Sequence, residues 1–506
     1  MNNLETPGML IAVWISLALY TGVILYFVIR GARKTKSMAD YATGTFHFSP
    51  SAIGLSLAAG MTSAATFIIN PGFVAYYGIS SFLSMAVFLP LGALISLVVL
   101  LKRFRKIGTV IQAKTISQWL GKRFDSKGFG LYIAFLSLLH ITFIVLICVG
   151  LTQVLSKALN ADVLYVLIGI VVFTFGYMMF GGANSMVYTN MIQALLKVVV
   201  AVIILVSGYH FFTGNSSGLF AKLDAIDPQL TKPFNIDSPL YRDFFEVVIC
   251  QFIVGIAIVC QPHIITRSML LKNDKDMNRF LTVSIILLIL FFSVVFAGLY
   301  GRLVFPELQY KGIQLPLDGV MSAYVVTSFN PAISLFLVVG LIASGVATLE
   351  SLIQSISTTI TSDIIKPLTG KADLKNELMI NRLVIGVMAT VTIYISYQQL
   401  MRPNLSVGIL AQNGVYASFS AAFVPLLFGM FLKNVHKAAP IVASVVAILV
   451  HFSIYYGRLT PYMQNPVRNP GVASAIAILC SLLAGGIVYA VTKRSAVVTP
   501  KNLVTV

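Results

Sequence analysis

Residues 50–77 read PSAIGLSLAAGMTSAATFIINPGFVAYY, and this stretch decides the fold. It is long enough to cross a bilayer, which takes about 20 mostly apolar residues. Yet it makes a poor continuous helix. Ala58-Ala59-Gly60 precede the small hydroxyl residues Thr62, Ser63 and Thr66, and Asn70-Pro71-Gly72 follows. Unwound backbone at membrane depth is tolerated only beside a cavity, where freed carbonyls can hold an ion. The stretch is therefore read as a broken helix lining a midplane site, with a kinked but packed helix as the alternative.

Composition supports a membrane setting. Of 506 residues 58% are hydrophobic and 10% charged, against roughly 25% charged in soluble domains. Mean hydropathy is +0.89. Thirteen apolar runs are long enough to span: 8–29, 50–77, 79–101, 128–156, 161–182, 188–212, 244–265, 280–304, 333–365, 380–400, 405–432, 438–456 and 472–492. They are too long for membrane strands, so the class is an all-α membrane protein with about thirteen transmembrane helices in a single polytopic domain. The lipid bilayer is its main partner. A monomer suffices, and the oligomeric state stays open.

The net charge of +18 would suggest nucleic acid in a soluble chain. Here most basic residues gather in alternate loops, among them Arg30 to Lys36, Lys102 to Lys127, Arg267 to Arg279, Lys366 to Arg382, Lys433, Lys437 and the C-terminal tail. That pattern excludes a nucleic-acid partner and makes this side the cytoplasm. The expected topology is multi-pass in the cell (inner) membrane, with the N-terminus outside and the C-terminus cytoplasmic. No cleavable signal peptide is expected. Cys148, Cys250, Cys260 and Cys480 lie in apolar runs without metal spacing, so they read as reduced packing residues. Residues 213–243 and 305–332 read as external caps or short surface helices. Residues 107–127 read as a cytoplasmic amphipathic stretch anchored at the interface by Trp119, or as an ordinary polar loop.

A second interruption, Cys260-Gln261-Pro262-His263, breaks span 244–265. Two five-helix units thus open with an interrupted helix, 50–212 and 244–432, and the odd helix number would make them inverted repeats. Span 8–29 stands before them, and two helices, 438–492, after them. In span 333–365, Ser344, Thr348, Ser351 and Ser355 fall at i, i+4, i+7 and i+11, on one helical face. Such a hydroxyl stripe opposite the broken helix suits a hard cation. Small-residue packing between membrane helices is the alternative.

Glu350 is the one acidic residue deep in a span, and Lys197 its basic counterpart. Lone charges there cost about 2.5–3.5 kcal/mol or more. Lys197 lies seven residues past Asn190, about 10 Å farther from the cytoplasm on the same face.

Several motifs resemble the sodium/solute symporter family, which includes sodium/proline and sodium/pantothenate symporters. Gln261-Pro262-His263-Ile264-Ile265-Thr266-Arg267 is similar to its QPHIIxR element. Gly181-Gly182 with Tyr188-Thr189-Asn190-Met191-Ile192-Gln193 resembles GG…TDxxQ, and SGVATLES at 344–351 resembles the AxxST ion motif. The resemblance covers about residues 8–492. It implies a LeuT-type five-plus-five bundle with an extra N-terminal helix, and Na+-coupled uptake of a small organic solute by alternating access. It also implies a Na+ site at Ala59, Thr62, Ser344, Ala347 and Thr348. The chain departs from the family at Ala347, which lacks a hydroxyl, at Asn190 in place of Asp, and at Glu350.

Glu350, Ser351, Asn190 and Lys197 are thus ion-coupling candidates. In one reading Lys197 and Glu350 face each other, the ammonium takes the place of sodium, and coupling is to H+. In another Na+ stays, with Glu350 as an added ligand. In a third the two form a static salt bridge. Candidate solute contacts are Ser63, Thr66, Phe67, Asn70, His140, Gln251 and Gln412, for an amino acid or monocarboxylate. No HExxH, GxSxG, Walker or CxxC motif points to an enzyme. A solute sensor on a transporter scaffold is a remote alternative, since the short tail after 492 leads us to expect no appended signalling domain.

Overall fold

The computed structural model describes residues 7–213, 218–370, 376–402, 407–464 and 467–495. Among these, ten helices are long and apolar enough to cross a membrane, and up to twelve if each of two bent pairs counts as one span. Lipid offers the backbone no hydrogen bonds, so runs this apolar satisfy themselves as helices. Most of TGNSSG and the chain beyond Ser495 lie outside the described residues.

The longest helix, Val163–Ser207, has 45 residues, and Gly182 breaks it at φ 56° and ψ −152°. At 1.5 Å per residue an unbroken helix would be about twice as long as a bilayer core is thick. The sequence left a loop between 182 and 188. The structure closes that loop to one residue, because the paired Gly181-Gly182 lets the chain turn against Tyr41 without a Cβ in the way.

Two spans are bent in the same manner. Pro50–Met61 meets Ala65–Tyr77 at 57°, and Phe245–Ile258 meets Pro262–Leu270 at 56°. Helix Pro331–Thr359, capped by Asn330 and started by Pro331, packs along Val163–Ser207 and touches Pro50–Met61. The N-terminal helix Pro7–Ala32 lies on the outside of Val163–Ser207, and Ala438–Gly457 pairs with Pro470–Ser495.

Within 305–332 the chain forms a short helix, Val320–Thr327, as expected, and adds a small hairpin, Gln309–Tyr310 against Ile313–Gln314. Lys311 and Gly312 turn it at φ 53° and 76°, the pair of positive angles a two-residue loop requires. Trp119 is no interfacial anchor. It sits on the short helix Ile116–Arg123, fully buried, stacked on Phe104 at 5.4 Å, with its indole N–H donating to the Phe104 carbonyl at 3.1 Å.

Candidate functional site

The first bent helix runs from its Ser49 cap and Pro50 to Met61, where Thr62 turns extended at φ −105° and ψ 114°. The chain resumes as a π-helical turn at Ala65–Ile69 and then as helix Asn70–Tyr77. Carbonyls at such a break lose their helical partners. Those of Ala59 and Thr62 accept instead from the ammonium of Lys197, at 2.6 Å and 2.5 Å. Thr348 closes the same cage, its hydroxyl 3.4 Å and 3.3 Å from the two oxygens. Ala347 is buried beside it, and its carbonyl accepts from Ser351 at 2.8 Å. The Ser344 hydroxyl is buried with no hydrogen-bond partner. The ring of Phe291 lies 5.9 Å from the Lys197 ammonium.

Glu350 occupies a separate polar pocket. Tyr177 and Thr189 donate hydroxyl hydrogen bonds to its two oxygens. Gln193 donates at 3.3 Å and also reaches Tyr20 at 2.9 Å. With its amide nitrogen turned toward Glu350, Asn190 donates to that carboxylate at 3.0 Å and to Gln193 at 3.0 Å, and accepts from Arg267 at 3.2 Å. Arg267 in turn donates to Ser56 at 3.0 Å and Ser351 at 2.5 Å, joining the two bent helices to Pro331–Thr359.

The expected facing of Lys197 and Glu350 is therefore corrected. The long lysine stem carries its charge to the helix break, while hydroxyl and amide donors surround the carboxylate. No ion pair joins the two among the described residues. A sodium ion at Ala59, Thr62, Ser344, Ala347 and Thr348 does not fit these side chains as they stand, since Lys197 holds two of the oxygens and Ala347 supplies none from its side chain.

Above the break is a cavity of about 780 Å³, open solvent at its mouth included. Its polar lining comes from Ser63, Thr66, Asn70, Gln261, Gln412 and Tyr416, and none of the described lining residues is Asp, Glu, Lys or Arg. Three expected contacts stand elsewhere. Phe67 is buried against Phe291, 5.8 Å between ring centres. His140 is buried in a 3-10 turn, Nδ1 3.1 Å from the Ser137 carbonyl, its ring beside His263. Gln251 packs toward Gly471. Each is turned to a neighbour instead: Phe67 to Phe291, Gln251 to Gly471 and His140 to His263.

Sequence reasoning passed over Tyr177, Gln261, Tyr416 and the role of Thr189 and Gln193. The last two were visible in Thr189-Asn190-Met191-Ile192-Gln193, where a spacing of four places both on one face.

Comparison with known proteins gives the same architecture. Residues 41–447 match the model of the sodium:solute symporter family. The sodium/pantothenate symporter of Escherichia coli K12 is 26% identical over 475 residues, covering 88% of this chain and 92% of that one. An osmoregulated proline transporter of Bacillus subtilis is 25% identical, covering 96% of each. Among solved structures, a Na+-coupled sialic acid symporter in its substrate-bound outward-open state superposes with a TM-score of 0.75 at 19% identity, covering 95% of this chain and 98% of that one. The family model spans most of the sequence, and the chain belongs to the sodium:solute symporter family.

Proposed function

We propose that this protein is a secondary symporter that takes up a small organic solute by alternating access, with Na+ as the coupling ion. The carrying observation is the cavity at the helix break, mostly apolar in its wall, with hydroxyl and amide groups set into it and no charged side chain among its described lining. A cavity of that kind suits a solute whose charges are few or internally balanced. Proline, pantothenate and sialic acid, named for its relatives and structural neighbour, are all carboxylic acids. They support the amino-acid or monocarboxylate class. Neither the family nor these relatives support H+ in place of Na+.

The break at Gly182, which divides a 45-residue helix into two arms, supports a count of about thirteen spans. The two bent helices support an inverted five-plus-five arrangement, and the loop charges support an outer N-terminus and a cytoplasmic C-terminus in the inner membrane. Ser63, Thr66, Asn70 and Gln412 are the proposed solute contacts. Bound solute favours closure of the outer half, and rocking of the bent helices then opens the inner half.

Counterflow in proteoliposomes tests this. Labelled proline, pantothenate and a panel of amino acids and monocarboxylates are offered with and without Na+. Saturable counterflow of at least one solute is expected. Flux that rises linearly without saturating, or no counterflow across the panel, overturns the carrier reading.

A further inference from the structure

We infer that Lys197 is the resident cation of the helix-break cage, and that this chain binds no Na+ there. The inference rests on the carrier reading for what the cage does, but not for what fills it. Four observations carry it. The ammonium donates to both broken-helix carbonyls, at 2.6 Å and 2.5 Å. These are the short contacts of charge-assisted bonds. An ion bound to the same oxygens would sit against a like charge at a fully buried side chain, where repulsion is strong.

The second observation is the side-chain set. Ala347 offers no oxygen from its side chain, and its carbonyl is engaged by Ser351. A bare ion would miss that ligand, whereas an ammonium carries three donors and needs acceptors on one side only. Third, the stem is fixed. Lys197 is fully buried in the helix interior and lies by the ring of Phe291. An ammonium in hydrocarbon is tolerable only with such partners, so the cage is what lets Lys197 exist at this depth. Fourth, the buried seam holds Lys197 and Arg267 against the single carboxylate Glu350. With all three ionised it already carries one excess positive charge, and a sodium ion at the cage would double it.

The consequence is a carrier whose helix break is bound from within by its own side chain. The carbonyls of the bent helix bind a charge that never leaves, so any Na+ that drives uptake acts at other ligands. Lys197 is then a specificity-determining residue: it removes one ion from the transport stoichiometry that the family's motif would otherwise imply.

The test is a gain of binding. Full-length wild type, Lys197→Met and Lys197→Arg are melted in detergent in NaCl and in choline chloride of equal ionic strength. Opening the cage should let Na+ stabilise the folded state in proportion to its occupancy. Lys197→Met should therefore show a Na+-specific rise in melting temperature larger than wild type, and Lys197→Arg should not. Adding Thr348→Val to Lys197→Met should abolish the gain, which locates it. Equal Na+ responses in wild type and Lys197→Met overturn the inference, as does a wild-type response that Lys197→Met loses. Should Lys197→Met fail to fold, Lys197→Gln is compared in its place. Recovery of folded variant only when Na+ is present throughout purification supports the inference, and loss in both salts counts against it. Counterflow on the same preparations reports the carrier reading separately, so a chain that transports nothing yet gains Na+ binding leaves the cage assignment standing.

Discussion

Replacing Gly182 with alanine is expected to destabilise the chain by about 2–6 kcal/mol, summing backbone strain and overpacking. The residue holds φ 56° and ψ −152°, a region that essentially only glycine populates. Forcing an L-residue there costs about 1–3 kcal/mol. A Cβ would also stand 2.7 Å from the Tyr41 ring and 2.8 Å from the Tyr41 carbonyl oxygen. The backbone half of that contact cannot swing aside, and overpacking adds about 1–3 kcal/mol. Gly176, in the same helix, is the control. A Cβ there meets nothing within 4 Å, so Gly176→Ala should be neutral or stabilise by up to about 1 kcal/mol through helix propensity. The assay is thermal melting in detergent, read as the monodisperse peak that survives heating. If Gly182→Ala melts at or above wild type, the helix does not turn at 182, and the convergence of its two arms on Glu350 falls with it.

Trp119→Ala should cost about 3–5 kcal/mol, the range for truncating a buried aromatic; melting that is unchanged, or that shifts only with lipid composition, would return Trp119 to the interface. Glu350→Gln removes an acceptor shared by Tyr177, Thr189 and Gln193 and should cost about 1.5–3 kcal/mol per charged bond lost. Counterflow should fall in protein that remains folded, whereas intact coupling would leave Glu350 a packing role only. Gln412→Leu replaces a polar group of the cavity wall, so the half-saturating solute concentration should rise while melting stays within about 0.5 kcal/mol of wild type; an unchanged concentration would remove Gln412 from the solute contacts. Glu246 takes Arg242 at 2.6 Å and Asn469 at 3.0 Å while fully buried. Glu246→Gln should lower melting by about 1.5–3 kcal/mol, and no change would show the clamp to be idle.

What was legible in the sequence was whatever local backbone chemistry controls. Ala58-Ala59-Gly60 before Asn70-Pro71-Gly72, and Gln261-Pro262, announced both breaks, because small residues and proline weaken a helix wherever it packs. The hydroxyl stripe followed from helical period, and Thr348 does reach the cage. Lys197 and Glu350 stood out by depth alone. Their partners did not, because the reach of a lysine stem and the arrival of Tyr177 and Tyr20 from other spans are set by packing between distant segments. Trp119 was misplaced for the same reason: its neighbour Phe104 precedes it by fifteen residues, and no period links them. The end of a span at Gly182 was legible, but not that the next begins at once, because a single positive-φ residue takes the place of a loop.

The carboxylate of Glu350 also acts as a corner brace. Tyr177 reaches it from one arm of the helix bent at Gly182, and Thr189 and Gln193 reach it from the other. Torque that widens this elbow must break bonds on both arms at once. The two arms and the span carrying Glu350 would then travel as one rigid frame, tied to the helix break at Thr62 by the Lys197 ammonium on the Ala59 and Thr62 carbonyls.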